Sequence, residues 1–441
     1  MLLLLFFGTH LYFTLYLGVI QRKLPLGIRL SVAREKGERR AKNEVSPYSA
    51  LATALAATIG TGNIIGVSTA IALGGPGAVF WCWLTGFFGI ATCYAECFLS
   101  VRYKVSGKDG KTAGGPMYVL EHGLGKKWLA TVFAFCTVLA SFGIGSSVQA
   151  HSIATAVREM FPVPASVVGI LVAVAAGTII VGGSRQIAKV CTWLVPLMSA
   201  LYLGGCLWLI VKNRDAVPEA VAVILRAAFD GRAAVGGVAG GTVMTAIRTG
   251  VARGLFTNEA GVGWIPMAAA ASGSQDAVRQ GLVSMTGPFW DTVVMCAITG
   301  IATVAGMLKH PGNYAGIAAD RLGFAAFSEL PAYGEEILSA ALALFAFATI
   351  IGWNVYGASA ARYLFGERGV KFYQACYLVS VFLGAVLSME TVWGLADLFN
   401  ILMALPNLLC LFLMKKEIKE GIRAEDLSVK KKNCILKSGK V

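Results

Sequence analysis

Runs of about 20 mostly apolar residues, the length that crosses a lipid bilayer as a helix, recur from one end of this 441-residue chain to the other. Eleven are delimited by short polar joints, at 2–20, 46–72, 77–101, 128–157, 165–182, 190–211, 236–272, 282–307, 336–364, 372–388 and 392–414. Only 14% of residues are charged and mean hydropathy is +0.68, well outside ordinary globular usage. The sequence therefore specifies an all-α polytopic membrane protein with about 11 transmembrane helices. Its first run has no charged leader and no small-residue cleavage site, so it reads as an anchor and not as a signal peptide.

A net charge of +14 raises the question of nucleic acid, and the positions of the basic residues answer it. If the C-terminus is cytoplasmic, 29 Lys and Arg fall on the inner side and 7 on the outer. Eight of the inner ones lie between Arg22 and Lys42, six between Arg102 and Lys127 and nine from Lys415 onward. By the positive-inside rule this orients the chain in the cell membrane with the N-terminus outside and the C-terminus inside. The basic charge is topological: the expected partner is the lipid bilayer, and no nucleic acid is implied. The segment from Gln21 to Glu44 is expected to be a solvated loop suited to anionic headgroups, and the tail from 415 to 441 to be disordered.

Two of the apolar runs carry residues that oppose a helix at mid-span. In the first, Ala54 to Leu73, Gly60-Thr61-Gly62-Asn63 places two glycines in one turn, each costing about 1 kcal/mol relative to Ala. In the second, Arg253 to Gly263 mixes glycines with Thr257, Asn258 and Glu259. In lipid, a carbonyl freed by such a break must find another partner, and a bound cation or substrate is one. Glycines that merely let helices approach closely explain either segment alone equally well. A pair of breaks in matching positions of two chain halves points instead to the mid-membrane site of a secondary transporter.

Other polar side chains inside spans extend this set. Gln149 offers donors and an acceptor suited to a zwitterion or a water chain, although such residues also bond neighbouring helices. Arg248 and Arg253 lie deep enough that each should meet a vestibule or an acid. Glu259 has three possible roles: ion ligand, counterion to a substrate amine, or cap for freed amides. Thr349 and Trp353 are four residues apart and share a helical face, as an ion ligand and a substrate lid would. Asp291 and Asp397 are single carboxylates with no evident partner. The ten cysteines include no CxxC pair and lack the histidines of a zinc site. No nucleophile and base constellation appears, so the chain is not read as an enzyme.

These stretches carry a family likeness. Gly74 to Trp83 with Gly86, Gly60 to Gly66, Gly114 to Tyr118, Arg253 to Gly263 and Ala346 to Trp353 occur in the order found in the alanine/glycine:cation (sodium:alanine) symporter family, which the chain resembles from end to end. The resemblance implies a leucine/neurotransmitter sodium symporter-like fold. One extra N-terminal helix and basic loop (1–45) would precede two inverted five-helix repeats (46–235 and 236–414), the first helix of each interrupted, with a basic tail (415–441) to follow. It implies substrate contacts at Thr61, Gly62, Ile65, Gln149, Phe256, Thr257 and Trp353. Na+, as co-transported ion, would be held by the carbonyls of Ala56, Ile59 and Ala346 and the Thr349 hydroxyl, with Asn63 and Thr257 near a second ion. Arg253 and Glu259 would serve coupling or gating. Two departures stand out: Trp264-Ile265 where the family often has small residues and a histidine, and Ala348 where it often has serine.

The expectation is a sodium-coupled symporter that imports alanine or glycine by alternating access, as a monomer. A proton-coupled or glutamine-type carrier of the same fold, and a membrane receptor that binds an amino acid without moving it, are the alternatives.

Overall fold

The computed structural model describes residues 2–33, 45–106, 112–230, 242–387 and 390–424. Residues 34–44 of the basic loop, the joint at 107–111, the start of the second expected repeat at 236–241, the tail from 425 and the Asp397 side chain lie outside the described residues. The chain is helical nearly throughout. Among the described residues, sheet is confined to a two-stranded antiparallel ribbon, β1 (Val105–Ser106) with β2 (Thr112–Ala113).

Helix α1 (Leu2–Tyr16) turns through 68° into α2 (Leu24–Val32). Helices α3 (Pro47–Thr58) and α4 (Val67–Gly74) meet at 53° across the first expected break. After α5 (Gly77–Arg102) come α6 (Lys127–Met160), widened by a π-type turn at Ser141–Ser147, then α7 (Ala165–Ile180) and α8 (Gly183–Lys212). Amphipathic α9 (Val217–Phe229) precedes α10 (Val243–Asn258), which ends at the second expected break, and α11 (Ile265–Ala270) follows it. The chain closes with α12 (Ala277–Lys309), α13 (Leu322–Phe327), α14 (Gly334–Val386) and α15 (Glu390–Leu413).

At Gly366, whose φ of 69° and ψ of −167° are not helical, α14 folds back on itself, so the runs at 336–364 and 372–388 lie in two helices joined there, and the Tyr377 hydroxyl donates to the Ile350 carbonyl at 2.7 Å across the pair. One expectation changes here. The segment after the first run is not wholly a solvated loop, because α2 packs against α12 with the Gly27 Cα against the Leu282 carbonyl. Five described helices are long and apolar enough to cross a membrane alone, and seven with the two bent pairs.

The core runs along α5, where Ile90, Ala91, Cys93, Tyr94, Ala95 and Cys97 are fully buried. Its glycines mark where other helices touch. A Cβ on Gly86 would fall 2.7 Å from the Thr292 side chain of α12. Gly254 of α10 lies against Thr85, and Gly77 against the Ala227 backbone of α9. Small residues permit such approaches where lipid supplies no hydrophobic drive between helices. Helix α1 and the turn after it are tied to α5 by polar bonds: His10 Nδ1 of α1 lies 2.8 Å from the Thr92 hydroxyl, and Gln21 Nε2 of the turn donates to the Phe87 carbonyl at 3.0 Å.

Candidate binding site between the two broken helices

The first break arises from a diverted hydrogen bond. The last regular bond of α3 joins the Ile59 N–H to Leu55 O at 2.8 Å. In a continued helix the Gly60 N–H would serve Ala56 O; here it donates to Asn63 Oδ1 at 2.9 Å. Helix α14 supplies replacements. The Thr349 hydroxyl lies 3.2 Å from Ala56 O and 3.0 Å from Phe345 O, so its one proton is shared, and the Trp353 indole donates to Ala57 O at 3.3 Å. Residues four apart on one face of α14 thus meet consecutive carbonyls at the end of α3.

Asn63 also anchors the break. Its amide donates to Asp291 Oδ1 at 2.8 Å and to the Asp291 carbonyl at 3.0 Å, and the Thr292 hydroxyl donates to Asp291 Oδ2 at 2.6 Å. This supplies the partner that the sequence left unnamed for Asp291. Both Asn63 and Asp291 are fully buried.

The second break begins at Glu259, whose φ of 51° is left-handed, and continues through Gly261 and Gly263 at φ of 82° and 102°. The glycines adopt these angles without the steric cost a Cβ brings. Freed backbone groups are again met by side chains: Asn258 Oδ1 accepts from the Ala260 N–H at 3.0 Å, and Asn407 Nδ2 donates to Gly261 O at 2.9 Å and to Glu96 Oε2 at 3.0 Å. The two breaks face one another. A Cβ on Gly62 would stand 3.0 Å from Thr257 Oγ1 and 3.6 Å from Phe256 Cδ1.

Between them lies a small cavity, with about 20 Å³ open to the centre of a water-sized sphere. Its wall contains Thr61, Gly62, Gln149, Phe256, Thr257, Glu259, Thr349 and Trp353, all singled out from the sequence, together with Ala57, Thr58, Gly60 and Ile144. Two acceptors in this wall are buried and unpartnered among the described residues, Gln149 Oε1 and Glu259 Oε2. The Gln149 amide donates to Ile144 O at 3.1 Å, which fixes its oxygen as the free end. Buried acceptors without donors are costly, so the wall is chemically suited to a group bearing N–H donors or positive charge.

Other expected residues stand apart from this wall. Asn63 turns to Gly60 and Asp291, and Ile65 is half-buried outside the cavity. Arg253 runs alongside Gly66, with Cδ 3.9 Å from where a Gly66 Cβ would be, while Arg248 is exposed. Ile59 follows α3 with extended ψ of 98°, and Ala346 is buried one turn before Thr349. Trp264, noted only as a departure, proves structural. Fully buried, it packs its ring 4.1 Å from that of Trp353, a residue of the cavity wall, and 5.9 Å from that of Tyr356.

Comparison with known proteins gives this arrangement a context. The sequence model described as "Sodium:alanine symporter family" matches residues 1–434. A protein of Methanococcus maripaludis named sodium/alanine symporter AgcS is 42% identical over 430 residues, covering 96% of this chain and 93% of that protein. An uncharacterized transporter of Haemophilus influenzae is 47% identical over 422 residues, covering 95% and 91%. Among solved structures, a Na+-coupled sialic acid symporter in a substrate-bound outward-open state superposes with a TM-score of 0.58 over 90% of this chain and 86% of that one. At 13% identity that likeness speaks for the fold alone.

Proposed function

The chain belongs to the sodium:alanine symporter family, and from that premise we propose that it imports alanine or glycine with Na+ by alternating access, using the cavity between its two broken helices. Members of the family are transporters and not enzymes, and Na+ is the co-transported ion. The observation that carries the finer reading is the join of α14 to the end of α3, where Thr349 and Trp353 meet Ala56 O and Ala57 O beside two unpartnered acceptors.

In this reading Na+ is held by the carbonyls of Ala56, Ile59 and Ala346 with the Thr349 hydroxyl, a set of oxygens that suits a hard cation. The substrate ammonium takes Gln149 Oε1 and Glu259 Oε2, and its carboxylate takes the backbone N–H groups around Thr61 and Gly62. Phe256 and Trp353 close over the side chain, and the tight walls favour a hydrogen or a methyl group there. Asn63 acts through Asp291 by fixing the break and not as a direct ligand. Ion and substrate favour the same closed arrangement, so each raises the affinity for the other by an equal factor. The membrane potential adds about 2.3 kcal/mol per charge per 100 mV. The architecture we propose keeps eleven spans, one before two inverted repeats at 46–235 and 236–414, in a monomer with its N-terminus outside; the uneven distribution of Lys and Arg supports that orientation.

Uptake of labelled alanine into proteoliposomes, with and without an inward sodium gradient and at two external pH values, tests the proposal. Sodium-dependent accumulation is expected. Uptake indifferent to sodium but driven by acid pH would transfer coupling to a proton on Glu259, the reading its unpartnered Oε2 favours next. Uptake of glutamine in preference to alanine would overturn the substrate assignment, and saturable binding without uptake would make the protein a receptor.

A further inference from the structure

Helix α1 precedes both expected repeats, yet it reaches the second break. It packs against α5 and α10, and its His10 is fully buried against Thr92 of α5 and Gly261 of the break. An ionisable side chain buried at membrane depth is expensive and as a rule functional. The imidazole makes two contacts there. Its Nδ1 lies 2.8 Å from the Thr92 hydroxyl. Its Cε1 lies 3.6 Å from where a Cβ on Gly261 would stand, and the Thr92 methyl lies 3.3 Å from the same point. Leu408 of α15 fills a third side at 3.1 Å, and Asn407 Nδ2 holds the Gly261 carbonyl at 2.9 Å. Gly261, at φ of 82°, has no side chain with which to fix itself, so its place is set by what surrounds it. Two residues earlier in the chain, Glu259 lines the central cavity.

We propose that His10 is a positioning residue for the second break: bonded to Thr92, it holds Gly261 in place and thereby fixes the backbone that carries Glu259 to the cavity. The surroundings favour this over packing alone. Thr92 lies one turn before Glu96 on the same face of α5, and Glu96 Oε2 accepts at 3.0 Å from the Asn407 amide that also serves Gly261 O. The break is therefore gripped twice from α5, by Thr92 with His10 and by Glu96 through Asn407. His10 is not among the residues of the cavity wall, so it acts on a bound molecule through Glu259. On the symport reading, on which this consequence rests, losing His10 loosens Glu259 and weakens alanine binding while the maximal rate stands.

Hydrogen–deuterium exchange of the full chain in detergent reads the break without measuring transport. His10→Phe keeps an aromatic ring and removes both nitrogens. Amide exchange across 259–263 should then rise about fivefold, the worth of one neutral hydrogen bond, with exchange in α7 unchanged. His10→Asn, which offers Thr92 an amide in place of Nδ1, should restore it. Thr92→Val should match His10→Phe, and the double variant should exceed neither, because the two residues are ends of one contact. Thr92→Val also supplies the answer if His10→Phe does not fold. In proteoliposomes the same variants should raise the half-saturating alanine concentration about fivefold at an unchanged maximal rate, the signature of lost binding. Unchanged exchange at 259–263, faster exchange throughout the chain, or no restoration by His10→Asn overturns the proposal. Faster exchange at the break with an unchanged half-saturating concentration overturns the link to Glu259. A wild-type protein that takes up no alanine strikes the symport reading instead, and the exchange measurement still decides the role of His10.

Discussion

Replacing Thr349 by valine keeps the branched shape of the side chain and removes one oxygen, so it isolates what that oxygen does. In the structure the hydroxyl lies 3.2 Å from Ala56 O and 3.0 Å from Phe345 O. In the proposed ion site Na+ would take Ala56 O and the Thr349 oxygen together, and the hydroxyl proton would turn to Phe345 O. A hydrogen bond to a charged group contributes about 1.5–3 kcal/mol and a neutral one about 1 kcal/mol. The variant loses the first kind of contact with the ion bound and the second without it. The difference, about 0.5–2 kcal/mol, raises the half-saturating sodium concentration between about twofold and thirtyfold, since each 1.4 kcal/mol is tenfold. The assay is the initial rate of alanine uptake into proteoliposomes against external sodium, at saturating alanine, with thermal unfolding in detergent as the control for folding. A folded Thr349→Val protein with an unchanged half-saturating sodium concentration would remove Thr349 from the ion site and refute the reasoning.

Gly62→Ala sets a methyl group 3.0 Å from Thr257 Oγ1, inside the wall of the cavity. Alanine transport should fall at least about tenfold relative to glycine, the scale at which a pocket senses one methyl group; competition between the labelled substrates reads the ratio, and an unchanged ratio would separate Gly62 from the side-chain pocket. Trp264→Ala empties the ring packed 4.1 Å from that of Trp353. It should destabilise the protein by about 3–5 kcal/mol and let preloaded alanine leak without sodium, whereas tight vesicles would show that the aromatic stack is no barrier. Asn63→Ala strips the donor at 2.8 Å from Asp291 Oδ1 and the acceptor serving the Gly60 N–H. With two buried groups left unpaired it should cost at least about 2 kcal/mol, seen as a lower unfolding temperature together with weaker sodium stimulation; wild-type stability would contradict the anchoring role.

Both breaks were legible because glycine, threonine and asparagine at mid-span run so strongly against a helix in lipid that little else explains them twice. The face shared by Thr349 and Trp353 was legible from spacing alone, since residues four apart in a helix must be neighbours. Contacts between distant parts of the chain were not. Asn63 meets Asp291 across 228 positions, and nothing periodic marks such a pair. Trp264 read as a departure because its meaning depends on Tyr356 and Trp353, brought to it by folding. The joint at Gly366 was legible: the run of Gly, Glu, Arg and Lys at 366–371 reads as a polar turn between two apolar runs, and the backbone leaves helical geometry there. The basic character of residues 22–29, by contrast, concealed that α2 is packed on α12.

The ready partners of Ala56 O and Ala57 O bear on how fast a carrier can cycle. A symporter has to reset with nothing aboard, and any penalty on the unladen form slows every turn. Two bare carbonyls in a dry interior would cost about 1–3 kcal/mol each, enough to retard the reset about 30-fold to well over 1,000-fold if it fell wholly on the barrier. The Thr349 hydroxyl and the Trp353 indole remove that penalty by bonding these oxygens themselves. On the proposed mechanism, discharge of cargo becomes an exchange of partners, and the return stroke starts from a relaxed protein.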